Sequence, residues 1–379
     1  MLKLIKLELK KYILNRNNYI LLMVLGLLLA GFIYMKNQQN MAANYQLRED
    51  INYNLNLQQS ALPRLRQELL AMPENKQLQK IITSSELDVQ LLTQIKTALL
   101  LEDWNLYLEN KIQYDEKMAQ EISSGMITTS LSADEARKDV EINKLLLEQN
   151  IEPIFTENSM QALNYMTVVL NSLFVILVLV LVIYFTSSLI PSDFESDTYK
   201  FLYTQPMSKT KIFFSKFISA LIINYSWVLL VLGISFLSLI PVFGLGNKEY
   251  PFTLVLGETT STIPVSQFIF IALFVLFLLV ALAIVFTLLI SIFIHSSSAT
   301  LIIGLLLTLI LCLGGDQMKN FIQYNPFAYY RITDAITGQL AFSYENSAIN
   351  LNSIYLLAPI LSIVGVLANT ISFKKMRIK

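Results

Sequence analysis

The side chains that most often carry chemistry are scarce in this sequence. There is one histidine, His295, and one cysteine, Cys312, which lies inside an apolar run. A metal cage of several imidazoles, a catalytic dyad built on two of them and an internal disulfide are excluded by count. No GxxxxGK[ST] phosphate loop, HExxH or GxSxG motif occurs. The carboxylates of residues 36–160 read as solvated helix faces rather than a catalytic pair. What stands out is a polar stretch at 191–211, PSDFESDTYKFLYTQPMSKTK, set between two long apolar runs.

That stretch has the chemistry of a capped helix. Ser192 can accept from the first turn and Glu195 follows three residues later, as in a capping box. Asp193, Glu195 and Asp197 fall in the first turns, where carboxylates favour the positive end of the helix dipole and can pair with basic groups. The helix is expected over 193–204. Pro206 stops it, and Gln205 before the proline is biased away from helical geometry. Phe194, Thr198, Phe201, Leu202 and Gln205 share one face, while Tyr199 and Tyr203 share another. A second helix is expected from Thr210 to Lys216, leading into the next apolar run. A plain connector needs only a few residues. A capped aromatic helix in this position therefore reads as a docking surface for a partner.

The elements around it follow from hydropathy. The chain has 379 residues, of which 54% are apolar and only 15% charged, well under the roughly 25% charge of a soluble domain. A bilayer core needs about 20 apolar residues as a helix. Six runs qualify: 19–35, 166–190, 217–243, 265–294, 296–315 and 354–373. None contains Asp, Glu, Lys, Arg or His. Only His295 and the serines after it separate the fourth and fifth runs, where a tight turn is expected. The first run is expected to be a span rather than a signal peptide, because no clear cleavage site follows its core.

Net charge is zero, with 28 basic and 28 acidic residues, but its distribution orients the chain. The segments before span one, between spans two and three, and after span six hold thirteen basic residues against four acids. Segment 36–160 holds twelve basic residues against nineteen acids. Basic loops stay inside, so both termini and 191–211 are expected in the cytoplasm and 36–160 outside. Residues 1–18 read as an interfacial helix. Leu2, Ile5, Leu9, Tyr12 and Ile13 line one face, and Lys3, Lys6, Lys10 and Lys11 lie on the face toward an anionic surface. The alternative is a simple extension of span one. With Lys209, Lys211 and Lys216, these lysines form the expected membrane-surface basic set.

Residues 36–160 show helical spacing, as in Leu78, Ile81, Ile82, Leu91, Leu92, Ile95 and Leu99. Three to five helices are expected, forming either a stalk or a domain that meets a ligand. Pro63, Pro73, Ser84–Ser85, Ser123–Gly125 and Ser130–Ser132 read as helix punctuation. The fold class is thus an all-α polytopic membrane protein of six spans, with an interfacial N-terminal helix and a helical extracellular domain between spans one and two. A loop with half-membrane helices at 316–353 and a tail at 374–379 complete it. Ionisable groups inside spans are the usual mark of ion-coupled transport, and the spans here hold none. The membrane body carries no visible energy source, so a separate energising subunit is expected.

Residues 195–216, ESDTYKFLYTQPMSKTKIFFSK, resemble the signature of the type-two family of ATP-binding-cassette permeases. In that family an acid precedes a Thr, then a Leu-rich helix, a Pro, a Ser–basic pair and a Lys that opens the third span. The matching positions are Glu195, Thr198, Leu202, Pro206, Ser208, Lys209 and Lys216. Asp197 stands where the family often has Gly. The order of parts along the whole chain is also similar, and Asn325–Tyr330 resembles the half-membrane helices before the last span. The long segment between spans one and two resembles a subset of that family.

The resemblance implies that 193–204 is a coupling helix seated in a groove of an ATPase. Asp193, Phe194, Glu195, Asp197, Thr198, Tyr199, Phe201, Leu202, Tyr203 and Pro206 would carry the docking. The chain itself would bind no cofactor and catalyse nothing; ATP and Mg would sit on two partner ATPase subunits. A second permease, identical or similar, would complete a transporter in a bacterial cytoplasmic membrane, and no nucleic acid is implied. Cargo in that family ranges over peptides, lipids, glycolipids, drugs and ions. Uncharged Leu/Phe/Val-rich spans favour an amphipathic or hydrophobic cargo, with antimicrobial or toxin peptide export or self-immunity as the expectation. Lipid, glycolipid or drug export is the alternative. A membrane sensor or scaffold with an extracellular ligand-binding domain is the rival of another class.

Overall fold

A computed structural model describes residues 1–126, 133–155, 159–200, 207–256, 259–315, 317 and 321–375; side chains at 133–135, 255–256 and 259–260 are not described. The chain divides into two units. One comprises Met1–Ile33, Gln161–Lys248 and Phe252–Lys379; the other comprises Tyr34–Met160 with Glu249–Pro251. The described residues are overwhelmingly helical, as expected of an all-α polytopic membrane protein.

The first unit opens with α1, Leu2–Leu14, and the apolar start of α2, Arg16–Ala71. After the second unit come α6 (Ala162–Val169), α7 (Ser172–Ser187), α8 (Pro191–Glu195) and α9 (Lys209–Phe243). Next come α10 (Val265–Phe293) and α11 (Ser297–Leu313). Short helices α12 (Ile332–Thr337) and α13 (Gln339–Ser343) precede α14, Leu351–Lys375. Among the described residues, five helical stretches are long and apolar enough to cross a membrane, and α11, at 17 residues, is a shorter apolar helix.

Helix α10 is the centre of this unit. It packs against α6, α7, α9, α11, α12 and α14, and two thirds of its most apolar stretch is buried. Close approach to α14 depends on Gly365, where an added Cβ would fall 2.3 Å from Val285 Cγ1. One turn on, the buried Asn369 donates its amide to the Val285 carbonyl at 3.0 Å. The turn between α10 and α11 falls at His295, and the Ser296 side chain caps α11 by accepting from Ala299 N at 3.5 Å.

Three features depart from the sequence reading. The apolar run at 166–190 is not one helix: it breaks at Leu170–Asn171, where Asn171 accepts from Phe174 N and restarts the helix as an N-cap. Residues 251–264 form a two-stranded sheet, Pro251–Leu256 with Thr259–Pro264. Its Thr-rich sequence, with Val255 and Ile263, suits extended backbone, and a tilted ring contact of Phe252 with Phe268 at 4.3 Å ties it to the start of α10. The segment before α14 forms two single 3₁₀ turns, Ile322–Tyr324 and Pro326–Tyr330, ahead of α12 and α13. Phe327, Tyr329, Ile332 and Leu340 are buried there.

The second unit holds the rest of α2 with α3 (Lys76–Leu101), α4 (Trp104–Ser123) and α5 (Ala133–Glu148). Asn75 caps α3 and Asp103 caps α4 through their side chains. The core joins Ile51, Ile95, Ala98, Leu99, Tyr107, Leu108, Leu146 and Ile151. Pro63, expected to punctuate, lies inside α2; the good helix formers around it outweigh one missing N–H. Ser84 and Ser85 lie inside α3 rather than at a boundary. The Ser84 hydroxyl donates to Glu121 on α4, so it bonds across the bundle instead of capping. Ser130–Ser132 lie outside the described residues.

Candidate functional site

The 191–216 region is built on a buried ion cluster. Lys216, in the second turn of α9, is 1% exposed. Its ammonium lies 2.8 Å from Asp193 Oδ2 and 3.1 Å from Glu8 Oε1, and it donates to the Leu189 carbonyl at 2.8 Å. Lys11 adds longer contacts, 3.5 Å to Asp193 and 3.7 Å to Glu8. Two carboxylates thus face two ammonium groups, and the charges cancel. Balance matters because an unpaired charge buried here would cost several kcal/mol. The cluster joins α1, the end of the α7–α8 stretch and the start of α9.

Packing around the cluster locks α1 to the same framework. Tyr12 donates to the Phe185 carbonyl at 3.1 Å. Burial, with the nearby Glu8 charge adding to it, holds its phenol well above the ordinary range, so the hydroxyl remains a donor. Trp227 packs edge-on against both Tyr12 and Phe185. Ser219 on α9 donates to the Ile5 carbonyl at 3.3 Å.

The helix expected over 193–204 is interrupted. Helix α8 ends at Glu195 and residues 196–198 form a turn. Asp197 takes φ +55, the left-handed region, which Gly enters without cost and Asp tolerates better than most residues. That explains why the position suits Gly as well as Asp; it is a turn residue, not a helix interior. Ser192 is not the cap either. Proline at the first helical position starts α8, and Ile190 precedes it with no side-chain cap.

The expected docking residues part company. Asp193 is sealed in the ion cluster, with 4% exposure; the excess of basic groups around it, Lys216 above all, draws it inward. Glu195 is exposed and turns toward the α10–α11 turn, where its two oxygens accept from Ser297 N at 2.7 Å and Ser297 Oγ at 2.8 Å. Phe194 stacks on Tyr199 at 4.9 Å and packs against His295 at 4.4 Å. Asp197 pairs with Lys200 at 3.0 Å, and the Thr198 hydroxyl donates to the Asp193 carbonyl at 3.4 Å. Phe201, Leu202, Tyr203 and Pro206 lie outside the described residues.

Of the basic set, Lys3, Lys6, Lys10, Lys11 and Lys211 are exposed. Lys209 reaches the Lys374 carbonyl at 3.4 Å. Lys216 is not at the surface; its ammonium is enclosed by two acids and a carbonyl. Sequence reasoning missed Glu8, Ser297 and His295 as members of this region. Glu8 had a signal, being the one acid in a helix of four lysines. Ser297 had none, because its partner is 102 residues away in sequence.

Membrane-length apolar helices around a charge-balanced loop define a polytopic membrane protein with an elaborate polar device between two of its spans. The chain matches the family described as ABC-2 family transporter protein over residues 2–374, and it belongs to that family. Its part is that of the membrane permease of an ABC exporter, which works with an ATPase partner. No curated protein and no solved structure matches it.

Proposed function

We propose that this chain forms the translocation path of an exporter in the bacterial cytoplasmic membrane, with both termini and the 191–216 region on the cytoplasmic side. It pairs with an identical or similar permease, and each permease receives one ATPase subunit that holds ATP and Mg. Docking falls on the part of the loop outside the ion cluster: exposed Glu195, Asp197 and Thr198 and half-buried Phe194 and Tyr199, with Phe201, Leu202, Tyr203 and Pro206 following.

The observation that carries this reading is the Lys216 cluster. A loop that merely connects two spans has no need of three elements bolted together through buried charges. With the cluster in place, displacement of 193–199 is passed to α1 and α9, and through Glu195 and Ser297 to the start of α11. Uncharged span walls, with Lys216 neutralised at one end, support an amphipathic or hydrophobic cargo. Export of an antimicrobial or toxin peptide, or immunity to one, is our choice within that class.

Co-purification tests the reading. Full-length permease should bring down an ATPase whose hydrolysis rises in the complex. Glu195→Lys combined with Phe201→Asp should abolish that stimulation while membrane insertion persists. Unchanged stimulation in the double variant would reject the docking role, and recovery of a kinase or regulator in place of an ATPase would reject the transporter.

A further inference from the structure

Beside the ion cluster lies an open cleft of about 380 Å³, within the roughly 300–1,000 Å³ of small-molecule sites. Its walls come from α1, the end of α7 and the start of α11. Among the described residues, the hydroxyls of Ser188, Ser192 and Ser298 and the amide N–H groups of Asn15 on these walls have no hydrogen-bond partner. Lys11 points its half-exposed ammonium at the same space and meets its acids only at 3.5 and 3.7 Å. Glu8 also borders the cleft; its nearer cation is Lys216, at 3.1 Å, which it shares with Asp193. The three hydroxyls and the amide can each donate to an anion placed beside the Lys11 ammonium, as a phosphate requires.

A second observation fixes the source of that phosphate. Leu301 closes one side of the cleft. Ser298, on the cleft wall, heads a row of residues four apart: Ile302, Leu306 and Ile310, with Leu313 after them, form a strip along α11, each more than half exposed. A polar pocket with many donors that continues into an apolar stripe matches an amphiphile. We infer that this cleft binds the headgroup of an anionic glycerophospholipid, with its phosphate on Lys11 and the serines and an acyl chain along Ile302–Leu313. The site rests on the reading that α1 lies at a membrane surface; it needs no docked ATPase and no particular cargo. The lipid would brace α1 against α11 next to the Glu195–Ser297 contact.

Native mass spectrometry of the purified full-length permease, without ATPase, tests it. Micelles are doped with equal phosphatidylglycerol and phosphatidylcholine, and retained lipid is counted. Phosphatidylglycerol should be retained at least about fivefold over phosphatidylcholine, the factor that one lysine near a charged surface contributes. Lys11→Gln with Ser298→Ala should remove the preference, while Lys3→Gln with Lys6→Gln should keep it. Equal loss in the Lys3/Lys6 variant would reduce the effect to surface charge and overturn the site. No preference in the native protein would overturn it too. A parallel melting curve distinguishes the sources. Short-chain phosphatidylglycerol should raise the midpoint and inorganic phosphate should not; an equal rise with phosphate would overturn the lipid assignment. Since no ATPase is present, failure here leaves the docking reading standing, and the reverse also holds.

Discussion

Each unit of the protein buries a set of charges, and the two sets are built differently. In the membrane unit Glu8, Asp193, Lys11 and Lys216 come from sequence positions as much as 208 residues apart, and two acids answer two lysines. In the second unit the charges are local to neighbouring helices. Lys117 lies 2.5 Å from Asp88 and 3.4 Å from Glu121, and Lys111 pairs with Asp115. There three carboxylates share two lysines, and Asp115 Oδ2 is buried with no hydrogen bond. Burial raises the Asp88 and Asp115 carboxyls above their ordinary value, with Lys117 and Lys111 pulling the other way. A balanced long-range cluster fixes which elements meet. An acid-rich local one leaves a charge that the fold would rather shed.

The sharpest way to break that contrast is Lys216→Met. It leaves two buried carboxylates facing each other and should cost about 3–5 kcal/mol, read as a lost or greatly lowered melting transition of the full-length protein. Adding Glu8→Gln and Asp193→Asn should recover most of the loss, since no buried charge then remains unpaired. If the triple variant melts no higher than the single one, charge balance is not what holds the cluster.

Lys117→Met in the second unit should cost less, about 2 kcal/mol, because Asp88 starts from a raised pKa and can take up a proton in place of its partner. Hydrogen exchange across α3 and α4 in the intact chain measures it. A loss equal to that of Lys216→Met would erase the distinction between the two networks.

The pH dependence has a definite sign. A carboxyl whose folded pKa exceeds its unfolded value binds more protons folded, so acid favours the fold. As pH falls from neutral through the raised values of Asp88 and Asp115 toward the ordinary 3.8, opening of α3–α4 should slow. Asp115→Asn should flatten that dependence. Faster opening on mild acidification would mean that the lysine pairs outweigh burial. The smallest effect belongs to Ser297→Ala. It removes one of two bonds to Glu195 and should cost about 0.5–1 kcal/mol, while weakening transport more than ATPase stimulation. A fall in both by the same factor would mean that Glu195 serves docking alone.

Much of the fold was legible in the sequence because its determinants are local. Twenty apolar residues without a charge make a membrane-length helix whatever surrounds them, and the spacing of Leu91, Leu92, Ile95 and Leu99 betrays a helix face from within. The 191–216 region was legible as special but not in its contacts. Asp193 looks the same in sequence whether it caps a helix or meets a lysine 23 positions later. Lys216 offered a better cue, since it stands among Phe213, Phe214 and Phe217, where an ammonium survives only with partners. The break at Leu170–Asn171 was hidden because hydropathy averages over it. The bond from Glu195 to Ser297 was hidden because no local rule ties a loop to a helix start 102 residues on.

The placement of α10 limits how the membrane unit can move. A rod packed against six other helices, with Val285 seated against the bare backbone of Gly365, is enclosed from Val275 to Val285 and has little room to lean there. Changes of shape must therefore carry several helices past it together, as staves shift around a fixed axle, rather than bending the axle itself. A single methyl added at Gly365 would jam that bearing.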